Sequence, residues 1–69
     1  MNEEYLYFIQ ENEHIFRGNI SVSREVAEYV YEIYNAITGE KKKPNGCGRC
    51  WMSVKNRIWA EYNRLNNLF

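Results

Sequence analysis

Apolar side chains between residues 23 and 38 recur at the spacing of one helical face, with Val26, Val30, Ile33 and Ile37 at i, i+4, i+7 and i+11. Ser23 is a suitable N-cap for that face, and Glu25 sits in the first turn, where the helix dipole favours a negative charge. Gly39 supplies the stop. A helix over 23–38 follows, with Tyr31 and Tyr34 forming a second line that widens its buried face or leaves an aromatic patch beside it.

The run EKKKPNG after Gly39 reads as loop, because Pro44 disfavours helical geometry at Lys43 and Asn45-Gly46 is a strong turn signal. The loop is expected over 39–48. A helix over 49–67 then begins between Cys47 and Arg49, and Trp51, Val54, Ile58, Tyr62, Leu65 and Phe69 line its apolar face. Residues 1–20 are ambiguous. Tyr5, Phe8 and Ile9, then Ile15 and Phe16, suit a helix over 3–12 with an irregular tail, while YLYFI and HIF flanking QENE also suit a small hairpin. Some third piece is required, since two helices alone leave too much apolar surface wet. The expectation is therefore an all-α single domain, a helical hairpin or three-helix unit with the basic loop between its last two helices. An N-terminal β-hairpin followed by two helices is the alternative.

At 69 residues the chain has a thin core, because a domain of this size buries only about 60% of the surface its unfolded form exposes. Metal binding, a disulfide, close helix packing or self-association are the usual compensations. The opening MNEEYLYF has no basic n-region or long apolar core, and no stretch reaches the roughly 18 uninterrupted apolar residues of a membrane span. The expected setting is intracellular, without a secretion signal. Net charge is zero, but residues 1–40 carry eight Glu against two Arg, and residues 41–69 carry seven Lys or Arg against one Glu. Such a split either folds acid against base or leaves two charged poles for different partners.

Cys47 and Cys50 have the spacing of two ligands of a tetrahedral zinc, which needs four donors. The only histidine, His14, is the one further Cys or His available, so a site in one chain would add a carboxylate such as Glu11 or Glu13, or a water. Two copies sharing all four cysteines would also complete the set, which makes a homodimer or higher oligomer an expectation of that reading. Thiol redox chemistry is a second reading, because a helix N-terminus and the nearby Arg49 and Lys41–Lys43 favour thiolate over thiol. In a third, the cysteines pack under the loop as small apolar groups or close an occasional disulfide.

No other catalytic constellation is present: the chain has no Asp, and Ser21, Ser23 and Ser53 lack a base partner nearby in sequence. The expectation is a protein that is not an enzyme. Nucleic acid is one possible partner. Lys41, Lys42, Lys43, Arg49, Lys55 and Arg57 stand in a stretch free of acids, and Trp51 or Trp59 would stack on an exposed base. A protein partner fits the eleven aromatics, with Trp59 and either Tyr7 or Tyr31 as exposed anchors.

The succession IYNAITG, KKPNGCGRC and a helix containing Val54 resembles short uncharacterised bacteriophage proteins over residues 26–58. That resemblance implies a phage origin and carries no activity to any residue. The expected role is docking onto a larger protein assembly, as a virion component or an inhibitor of a host protein; a small nucleic-acid-binding module is the alternative.

Overall fold

Two caps define the central helix. In the computed structural model, which describes residues 1–18 and 20–66, the Ser23 hydroxyl accepts the Val26 amide at 3.3 Å and opens α3 (Arg24–Thr38). Gly39 closes it in the left-handed region at φ 79°, donating its N–H to the Asn35 carbonyl, a conformation that costs glycine little and other residues much. Val30, Tyr31, Ile33 and Tyr34 form its buried face.

The last helix, α4 (Gly48–Asn66), buries Val54, Lys55, Ile58 and Tyr62, and packs along α3. Residue 67 and Phe69, the expected end of this helix and of its apolar stripe, lie outside the described residues. The first segment is helical, so the β-hairpin alternative is excluded; no strand occurs among the described residues. It forms two pieces rather than one, α1 (Glu3–Glu11) and α2 (Glu13–Arg17). The break has a geometric reason. Ile9 and Ile15 are both buried, yet six positions of continuous helix would set them about 120° apart. Asn12, at φ −129° and ψ 36°, turns the chain so that both face inward, and its side-chain amide donates to the Phe8 carbonyl at 2.9 Å.

The core joins all four helices, with Ile9, Ile33 and Ile58 wholly enclosed. Phe8 meets Tyr29 edge-on at 4.7 Å between ring centroids, and the Tyr5 hydroxyl donates to Glu32 at 2.9 Å, which fixes α1 on α3. No described helix is long and apolar enough to cross a membrane.

Candidate functional site

The basic loop is held, not free. Asn35 on α3 acts as a surrogate strand edge: its amide donates to the Lys42 carbonyl at 2.9 Å and its oxygen accepts the Lys42 N–H at 3.0 Å. Next to it the Tyr34 hydroxyl donates to Glu40 at 2.5 Å, Glu40 pairs with Lys42 at 3.5 Å, and the Lys42 ammonium lies 5.6 Å from the Tyr34 ring centroid. The hydrogen bond from Tyr34 holds the Glu40 carboxyl below its ordinary pKa, and Glu40 raises that of Lys42. Lys42 is thus committed to the fold's own acid. Lys41 and Lys43 on either side are exposed and make no ion pair among the described residues, and the same is true of Arg49 and Arg57.

The ion pairs that do form are local: Arg24 with Glu28, Lys42 with Glu40, Arg64 with Glu61. Acidic and basic halves therefore do not neutralise each other by long-range pairs among the described residues. Glu28, Glu32 and Glu40 nonetheless share one groove with Lys41–Lys43.

At the end of the loop Gly46 takes φ 77° and the Cys47 N–H donates to the Asn45 side chain at 3.1 Å, a tight turn that delivers the chain into α4. Cys47 occupies the cap position. Its carbonyl accepts the Trp51 N–H at 3.0 Å, and its Sγ accepts the Cys50 N–H at 3.1 Å, the place where a Ser or Asn oxygen usually serves. The Cys47 and Cys50 sulfurs are in disulfide contact and both residues are half-buried. His14 is exposed on α2 and does not join them: no group of three or more His, Cys or Glu side chains among the described residues is placed to hold a metal.

Two grooves flank Pro44 and Tyr31. One is polar, lined by Arg24, Glu28, Glu32, Asn35, Glu40 and Lys41–Lys43. The other has no charged residue among its described lining, with Ile20, Val22, Ala27 and Trp51 beside Cys47, Ser21 and Asn45.

Two residues expected at a partner surface sit elsewhere. Lys55 is only 2% exposed. Its ammonium donates to the Gly18 carbonyl at 2.9 Å and lies 5.4 Å from the Trp51 ring centroid, so it closes the end of α2 rather than reaching solvent. Burial pushes its pKa below the ordinary lysine value. The signal was in the spacing, since Trp51, Lys55, Ile58 and Tyr62 fall at i, i+4, i+7 and i+11 on one face. Tyr31 is likewise buried, and its ring stacks on Trp51. Trp59 is half-buried and stacks on Phe16 and Tyr62, while Tyr7 stands out at 64% exposure.

Comparison with protein-family models, with curated proteins and with solved structures finds no match to this chain.

Proposed function

We propose that the chain is a small interaction module that docks onto a larger protein through the groove of Val22, Ala27 and Trp51 beside Pro44. The observation that carries this reading is a groove whose apolar floor includes Val22, Ala27 and Trp51, with Lys41, Lys43 and Arg49 exposed in the chain on either side of its Pro44–Gly48 rim and in no ion pair among the described residues. The apolar floor supplies affinity, and the unpaired charges select the sign of the partner, an acidic segment with interspersed apolar side chains. The resemblance to phage proteins supports a virion component or a host protein as its bearer.

Exposed Arg57, together with the same three cations, favours a second reading, a nucleic-acid-binding module. One feature weighs against it: both tryptophan rings are stacked within the fold rather than presented to a base.

The test is fluorescence anisotropy with a labelled Glu- and Leu-rich peptide and, separately, with single- and double-stranded oligonucleotides. The expected result is saturable peptide binding, with amide shifts at Val22, Ala27 and Trp51, weakened at least ~10-fold by Lys41→Glu, Lys43→Glu and Arg49→Glu together. Oligonucleotide binding that falls with salt at a log–log slope of about −0.9 per phosphate contacted on duplex, or about −0.7 on single strands, without peptide binding, replaces this reading by the second.

A further inference from the structure

The two sulfurs at the head of α4 are not equivalent. Cys47 and Cys50 are in disulfide contact, but only Cys47 lines the groove beside Val22, Pro44 and Trp51. Cys47 is also the residue whose Sγ takes the cap position and accepts the Cys50 N–H. When the bond is reduced, an anion on Cys47 meets that amide and the positive end of a long helix. The described residues that line the groove beside Cys47 include no carboxylate.

The geometry points to a thiol–disulfide exchange site in which Cys47 is the sulfur that meets an external disulfide in the apolar groove and Cys50 is the one that resolves the product. The thiolate of Cys47 attacks one sulfur of an organic disulfide. A Cys47–S–S–R bond forms, and the other half departs as a thiolate that takes a proton. Cys50, giving up its proton, then attacks the Cys47 sulfur, releases the second thiol and closes the Cys47–Cys50 bond. Two electrons pass from the protein dithiol to the external disulfide, which becomes two thiols. An external dithiol returns the protein to its reduced form by the reverse exchange.

This goes beyond docking and stands independently of it, because a small disulfide is a sufficient probe. Cys50 has a structural reason for resolving rather than attacking: it is the third residue inside the helix rather than its cap, and it does not border the groove.

The experiment begins with protein reduced by dithiothreitol, freed of reductant, and alkylated with iodoacetamide from pH 5 to 9, with each cysteine followed by peptide mass spectrometry. The thiolate is the reacting form, so Cys47 at the helix cap is expected to react about 10-fold faster than Cys50 at pH 7. In parallel, Cys50→Ser and Cys47→Ser proteins, each checked for helicity by circular dichroism, are exposed to oxidised glutathione. Cys50→Ser should accumulate a glutathione mixed disulfide, and Cys47→Ser should do so at least ~10-fold more slowly. Equal alkylation rates, or faster trapping on Cys50, overturn the assignment. So does zinc added to the reduced protein if it binds both sulfurs and blocks alkylation in a two-chain complex, which would make the pair half of a shared metal site.

Discussion

At the scale of single residues, Lys55 is the most consequential side chain. Its charge is enclosed with a carbonyl and an aromatic face for company rather than a carboxylate. Lys55→Ala should destabilise the protein by about 2–5 kcal/mol, combining a cavity with an unsatisfied Gly18 carbonyl, as read from urea unfolding. The sign of its pH dependence follows from burial. The folded protein sheds the Lys55 proton below the ordinary value of 10.5, so between the lowered value and 10.5 the unfolded chain holds more protons and stability rises with pH. Lys55→Met lacks that rise, and the difference between wild type and variant should widen in favour of wild type as pH climbs. The comparison belongs below pH 10, because the Tyr5 hydroxyl is raised above its ordinary 10.0 by donating to Glu32, and its contribution is lost at higher pH.

At the scale of elements, α3 was legible down to its caps, because Ser23 and Gly39 are residues whose chemistry serves one end of a helix. Ser23→Ala should cost about 1 kcal/mol, and Gly39→Ala about 1–2 kcal/mol because alanine must adopt a left-handed conformation; both are measurable by thermal unfolding. The start of α4 was legible to a residue, but not its cap, since nothing in the string CGRC says that a sulfur will take the place of an oxygen. The division between α1 and α2 was hidden for another reason. QENE carries no proline or glycine, and the turn at Asn12 is imposed by the need to bury Ile9 and Ile15 together. The loop's attachment was equally silent, because Asn35 reaches Lys42 across seven positions. Asn35→Ala should speed exchange of the Lys42 amide hydrogen by ~10-fold or more while amides of the α3–α4 core keep their protection.

For the molecule as a whole, stability rests on few residues. Ile33 and Ile58 are wholly enclosed, and Ile58→Ala removes about 2–5 kcal/mol from a domain whose core supplies only about 3–5 kcal/mol. Circular dichroism of that variant should show a largely unfolded chain at 25 °C. The division of charge between the two halves was plain in the sequence, but not that Glu28, Glu32 and Glu40 would share a groove with Lys41–Lys43, because that depends on which side chains come within reach. Lys55 shows the same limit from the other side: a cation counted with the basic pole belongs to the interior. Its acceptor brings in Gly18. A methyl group at that position would lie 2.9 Å from the His14 carbonyl oxygen, so the turn has to open and carry its own carbonyl away from the ammonium. A bump at the rim would then be felt inside as a stranded ion, and the tolerance of position 18 to change is set by a lysine 37 places along the chain.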